Sequence, residues 1–240
     1  SDVCSSDLTA QSISTIGTFC HEYSHVLGLP DLYHTTSPLT FCVDNWSVMD
    51  NGLYNNYGRT PPTYSSYERF FMGWLSPSIL SSPGSKHLPE LNTSNQAFII
   101  ANETPNLNGR DPSPKEFFLL ENRQKKGFDS YLPYHGMLVW HIDYDENAWE
   151  NNTPNNSKTN NALSHQRVYI HPADGIHSVN TKTGDPFPGS SYIRDFSPTL
   201  WDGTSLNKTL SNIYETNEVI TFDFMGGEFD PNGAVILSPA

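Results

Sequence analysis

The chain has 240 residues, with 13 Lys and Arg against 26 Asp and Glu, a formal charge of −13, and 36% hydrophobic and 12% aromatic residues. That is enough apolar material for a packed core in one large or two modest domains. The basic residues are dispersed and outnumbered, which excludes a nucleic-acid surface, and no apolar run reaches the roughly 18 residues of a membrane span.

No basic and apolar leader opens the chain. Residues 1–8 resemble the translated read-through of a sequencing adaptor and are set aside, so the cysteines that matter are Cys20 and Cys42. From Thr9 to Leu27, apolar or small residues recur at Ala10, Ile13, Ile16, Cys20, Tyr23 and Leu27. That period is close to 3.6 and predicts a helix with this face packed inward.

On such a helix His21 and His25, four residues apart, share a face and can both reach one metal ion about 2 Å away. Glu22 follows His21 by about 100° of rotation, beside the ligand line, where a general base for a metal-activated water belongs. Gly28 can adopt the left-handed conformation that ends a helix and Pro30 cannot continue one. The chain then swings back, and Asp31 approaches as a third ligand from outside the helix. Two imidazoles and a carboxylate suit zinc with one open position.

Tyr33 to Pro62 has no sustained period and reads as a long functional loop containing Met49, Tyr54 and Tyr57. Either tyrosine is a candidate for stabilising an oxyanion or lining a cleft. Cys42 lies in the same loop, so a disulfide to Cys20 and a pair of buried thiols both stay open. Tyr64 to Leu75 predicts a short aromatic helix whose Tyr67, Phe70, Phe71 and Trp74 form a packing stripe. Its Glu68 is the rival to Asp31 as third ligand. Ser76 to Glu90 reads as a surface connection.

Beyond it the pattern turns strand-like, at Ala97 to Ala101, Glu116 to Leu120, Met137 to Ile142, Arg167 to Ile170 and Val219 to Phe224. His141 and Asp143 share a strand face and suit a hydrogen-bonded pair. Asp143, Asp145 and Glu146 are candidate calcium ligands at a strand end. The Asn-rich loop from Asp143 to Ser164 is expected to be mobile or held by an ion.

The run HEYSHVLGLPD, His21 to Asp31, resembles the metzincin pattern HExxHxxGxxH with Asp in the last place. With NWSVMD at Asn45 to Asp50, FMGWL at Phe71 to Leu75, LLENRQKKGFD at Leu119 to Asp129, GMLVWHID at Gly136 to Asp143 and GDPFPG at Gly184 to Gly189, the chain resembles the immune inhibitor A family of secreted bacterial metallopeptidases. The resemblance implies a Met-turn at Met49 and a zincin fold of α+β class. In that fold the active-site helix and Met-turn loop are followed by a mainly antiparallel β region. It also implies a secreted zinc endopeptidase acting on protein or peptide substrates, with a propeptide in a longer precursor of which this is the later part. The expected organisation is a zinc-site region over 9–85, a β-rich part over 86–228, and a linker or further module over 229–240. The rival reading is an inert fragment of such a peptidase, or a calcium-stabilised β-rich binding or adhesion module without proteolytic activity.

Overall fold

A computed structural model describes residues 15–37, 40–156 and 165–227. The expectations for residues 1–8 and 229–240, and for the helix before residue 15, lie outside them.

The architecture is mixed α+β, with few helices and sheets that are almost entirely antiparallel. Helix α1 is Ile16–Val26, α2 is Ser66–Phe71 and α3 is Glu146–Glu150. Strands β1 (Ser78–Ile79), β3 (Phe98–Ile100), β4 (Glu116–Arg123), β5 (Gly136–Asp143) and β6 (Val168–Ile170) form one sheet in the order β1-β3-β4-β5-β6. Among the described strand pairs of this sheet only β1–β3 is parallel. Strands β2 (Gly84–Leu88), β7 (Leu210–Thr216) and β8 (Val219–Phe224) make an antiparallel sheet in the order β2-β8-β7.

Strands β4 and β5 are buried on both faces, which is why they read as unbroken apolar runs. Alternate side chains enter opposite cores. Phe117, Leu119, Leu138, Trp140 and Ile142 join Leu29, Trp46, Met49 and Tyr67 in a cluster on the side of α1 and its following loop. Phe118, Leu120, Met137 and Val139 join Leu88, Ile220, Phe222 and Phe224 of the three-stranded sheet. The long sheet is therefore a middle layer, and the first cluster draws side chains from both sides of residue 85.

The polar end of β4 is buried as well. Arg123 reaches Glu121 at 3.1 Å and Asp129 at 2.7 Å with none of these side chains accessible. Burial disfavours its charge, but the two carboxylates more than compensate and push the guanidinium pKa up. Glu121 also accepts the Ser66 N–H at the start of α2, so this ion cluster fastens α2 to the sheet.

The expected aromatic helix is shorter than its stripe. Ser65 and Glu68 form a capping box at its start, and Gly73, at φ +73°, ends it before Trp74. The Ser-rich connection contains β2, paired along its length with β8. Among the described residues no helix is long and apolar enough to cross a membrane.

Candidate metal centre

Helix α1 packs only in part as its apolar period suggested: Cys20 lies against the first core cluster and Leu27 is half-buried, but Ile16 and Tyr23 are not covered. Ile16, Phe19, Tyr23 and Val26 are exposed, Tyr23 by 53% and Val26 by 77%. The buried face is Gly17, His21 and Ser24. A Cβ on Gly17 would stand 1.9 Å from the Leu53 carbonyl oxygen, so the missing side chain is what lets the helix lie against the loop below it. Ser24 donates to the Cys20 carbonyl and meets the Tyr64 hydroxyl at 2.7 Å.

This docking turns the ligand face inward. His21 is 5% exposed and its Nδ1 lies 2.8 Å from the Val48 carbonyl oxygen. His25 Nδ1 lies 2.8 Å from the Leu29 carbonyl oxygen. A carbonyl only accepts, so each Nδ1 carries the hydrogen and each Nε2 presents a bare lone pair. The chain reverses at Gly28, φ +94°, where Gly28 N–H reaches the His25 carbonyl and Leu29 N–H the Ser24 carbonyl. Arg110 donates to the Leu27 carbonyl left open at the helix end.

The reversal delivers Asp31, whose Oδ1 is 3.2 Å from His21 Nε2 and 3.2 Å from His25 Nε2. Three acceptors thus face one another, and Asp31 Oδ1 is buried without a hydrogen-bond donor. A metal ion among the three, or a proton on one imidazole, would relieve this arrangement. The residues fit a metal: one ligand atom from each of His21, His25 and Asp31 lies within 4.8 Å of the other two, and this is the one such trio of His, Cys, Asp or Glu among the described residues. Burial opposes ionisation of Asp31, but His21, His25 and Asn152 together hold its carboxyl well below the usual range. When His25 Nε2 instead carries a proton it donates to Asp31, which raises the His25 pKa, so protons and metal compete for that nitrogen.

Asn152 was not foreseen. Its Nδ2 donates to Asp31 Oδ2 at 2.6 Å, and its Oδ1 accepts the Asp31 backbone N–H at 2.6 Å. One carboxylate oxygen is thereby tied down and the other left for the metal. Asn155 donates to the Leu32 carbonyl, and Asn156 binds both the N–H and the hydroxyl of Thr35. The described part of the Asn-rich loop is thus a clamp on the ligand segment, where a mobile or ion-held loop was expected.

Glu22 is half-buried and lines, with His21, Tyr33, Cys42, Asp50 and Tyr54, a cleft of about 270 Å³. Tyr54 therefore belongs to the cleft wall. Tyr57 does not line it and is 86% exposed. Tyr33 is the tyrosine that sequence reasoning passed over: it stacks on His21, and burial followed by the charge of Asp31 pushes its phenol upward. Burial likewise pushes Asp50 up to about 6.

Met49 is fully buried in the first core cluster. Its carbonyl accepts Leu32 N–H and its own N–H reaches Ser47 Oγ, while the neighbouring Val48 carbonyl holds His21. Glu68 stands apart from the trio. It is wholly buried, accepts from Ser47 Oγ at 2.6 Å and from Ser65 N–H at 2.6 Å, and so braces the turn before Met49.

Cys20 and Cys42 are both free thiols; Cys42 Sγ points to the Thr40 carbonyl at 3.8 Å. His141 does not pair with Asp143. It contacts Glu116 and His171, while Asp143 binds Arg167 and His165. The candidate calcium carboxylates are spent on other partners: Asp143 on those two bases, Asp145 on capping α3 at Ala148 N–H and on Arg167 at 3.5 Å. Glu146 occupies the first turn of α3. Among the described residues the three do not form a group able to hold one ion, and Arg167 brings positive charge beside Asp143 and Asp145.

No curated protein matches the chain. Residues 1–74 match the family model described as the immune inhibitor A peptidase M6 catalytic domain. That match supports a metallopeptidase, and it falls on the segment that carries α1, Asp31, Met49 and α2.

Proposed function

We propose that this chain carries the active site of a secreted, zinc-dependent endopeptidase of the metzincin type. The observation that carries the reading is the convergence of two bare imidazole nitrogens and one donorless carboxylate oxygen, with Glu22 lining a cleft together with His21.

In this reading His21, His25 and Asp31 hold zinc, which when bound acidifies a water and polarises the scissile carbonyl. Glu22 accepts the proton of the attacking water and returns it to the leaving amine. Asp31 adds a full negative charge to the donor set where a third histidine would add none. The charge left for transition-state stabilisation is thereby smaller, and more of the work falls on Glu22. Tyr33 and Tyr54 stand where a peptide in the cleft passes the ligands. Secretion is supported by the family match, since that family is typically extracellular.

The test is zinc content and cleavage of an unstructured protein such as casein, for wild type, Glu22→Gln and Asp31→Ala. The reading expects one zinc per wild-type chain, hydrolysis blocked by a chelator and restored by zinc, and a Glu22→Gln chain that keeps metal but not activity. A wild-type chain that holds no zinc at micromolar metal would leave the binding-module reading standing.

A further inference from the structure

A second hollow, of about 440 Å³, opens beside the metal cleft and shares Thr40 and Phe41 with it. It is walled by aromatic rings and three histidines. Trp201 stacks on His141 with ring centroids 5.1 Å apart and 12° between the planes. Tyr169 packs against Trp201, His171 and His177, and Phe41 against His177.

Among the described residues two polar atoms here have no partner although both are buried, Gln166 Oε1 and Trp201 Nε1. Gln166 is 3% exposed, and its Nε2 donates to the Phe41 carbonyl at 2.6 Å, which fixes Oε1 as the atom left over. The indole N–H can only donate. A third group follows from a hydrogen-bond chain. Glu116 Oε1 accepts the Trp201 backbone N–H at 2.7 Å and His141 Nε2 at 2.8 Å. His141 therefore has a bare Nδ1, which accepts from His171 Nε2 at 3.2 Å and leaves His171 Nδ1 as a lone-pair acceptor.

The wall thus offers two acceptors and one donor between flat rings. None of the described residues lining it is Asp, Glu, Lys or Arg. Burial lowers the pKa of His141, of His171 to about 3 and of His177 to about 4, so all three are neutral at pH 7. A buried donor and acceptor left unmade cost free energy, and a ligand that completes them is selected over one that cannot.

We propose that this hollow binds a neutral primary carboxamide, the side chain of glutamine or asparagine in a peptide whose backbone lies along the metal cleft. The amide NH₂ supplies two donors, for Gln166 Oε1 and His171 Nδ1, and its carbonyl accepts from Trp201 Nε1. A carboxylate brings charge to an uncharged wall and no donor, and a thioether or alkyl chain satisfies none of the three atoms. The peptide part of this proposal rests on the endopeptidase reading; the carboxamide site itself does not.

The experiment uses the full chain labelled with ¹⁵N-tryptophan and three probes: the N-acetyl methylamides of glutamine, glutamate and methionine. The Trp201 indole signal is assigned by its loss in Trp201→Phe. The glutamine probe is expected to shift that signal saturably, with at least tenfold weaker effects from the other two and from the glutamine probe on Gln166→Met. No shift, or equal shifts with all three probes, overturns the site whatever the variants do. In parallel, peptides with Gln, Glu or Met walked through each position are digested. Cleavage that prefers Gln at one position, with the preference lost in Trp201→Phe, supports the peptide alignment. Cleavage indifferent to Gln overturns it. A selective shift with no peptide cut at all sinks the endopeptidase reading and leaves the carboxamide site standing.

Discussion

Removing the Asn152 side chain should loosen the metal without touching any ligand. Asn152 makes two hydrogen bonds of 2.6 Å to Asp31, one to a carboxylate oxygen and one from its backbone N–H. A bond to a charged group is worth about 1.5–3 kcal/mol and a neutral one about 0.5–1.5 kcal/mol. Part of that is recovered from water, because Asn152 and Asp31 lie close to the cleft. Loss of a group that orients a metal ligand costs about 10–100-fold in metal affinity, which corresponds to about 1.4–2.7 kcal/mol; the two ranges overlap, and the expected effect is at least tenfold. The backbone needs a control. Asn152 sits at φ 57°, a conformation that costs an alanine about 1–2 kcal/mol, so Asn152→Gly is the cleaner variant and Asn152→Ala should fare worse in thermal stability alone. The assay is a competition titration against a chromogenic zinc chelator, with melting temperatures of the apo chains alongside. If Asn152→Gly binds zinc as wild type does while Asp31→Ala loses it, the clamp plays no part in holding the ligand and the reasoning fails.

Glu22→Gln should reduce peptide hydrolysis by about 10²–10⁴-fold, the usual worth of a general base, with zinc content unchanged by atomic absorption; a variant that loses metal would make Glu22 a ligand instead. Glu68→Gln should lower the melting temperature, because a fully buried group bridging Ser47 and Ser65 is disturbed, yet leave one zinc per folded chain, and loss of zinc there with retention in Asp31→Ala would reverse the ligand assignment. Asp185 makes a pH-dependent forecast. Burial pushes its carboxyl up to about 7, against the hydrogen bond from Trp46. A folded value above the unfolded one means that this group's stabilising share is present below about pH 4 and is lost as pH rises through 7. Asp185→Asn removes the ionisation, so its stability relative to wild type should grow by about 3–4 kcal/mol between pH 4 and pH 8, measured by urea unfolding at each pH. A constant difference would show that the carboxylate is already ionised in the fold.

Local signals were legible and long-range ones were not. The HExxH spacing, Gly28 and Asp31 lie within eleven residues of each other, so helix geometry alone brings the two proposed histidine ligands and the proposed base together and places the turn. The β4 and β5 runs were equally plain, because side chains buried on both faces leave a continuous apolar stretch. β2 was hidden because only Gly84 and Leu88 of its five residues are buried, so it carries no apolar pattern of its own. β7 has a register shift between Ser211 and Tyr214 that breaks its alternation. The face of α1 was misjudged for a different reason. Periodicity reports where apolar residues recur, but the docking face was chosen by Gly17, whose contribution is an absence of side chain. Asn152 lies 121 residues from Asp31 and has no spacing rule to announce it. Its left-handed conformation is one that Asn tolerates better than most residues, but that is equally true of any turn.

The contrast between the three proposed ligands gives such a clamp its use. His21 and His25 come pre-arranged, because one helical turn fixes their relation and each ring is pinned by a carbonyl. Asp31 follows the helix end, on a segment without regular hydrogen bonding. Ordering its backbone costs about 1–2 kcal/mol per residue, and a metal that had to supply this on binding would bind more weakly by the same amount. The chain supplies it beforehand. Leu32 N–H is taken by the Met49 carbonyl, Leu32 C=O by Asn155, Thr35 by Asn156 and Asp31 itself by Asn152. Asn155 is in turn fixed to both the N–H and the carbonyl of Val168 on β6. The third ligand is therefore registered to the edge of the central sheet. A change that shifts β6, however far from the cleft, acts on metal affinity through Asp31 before it reaches either histidine.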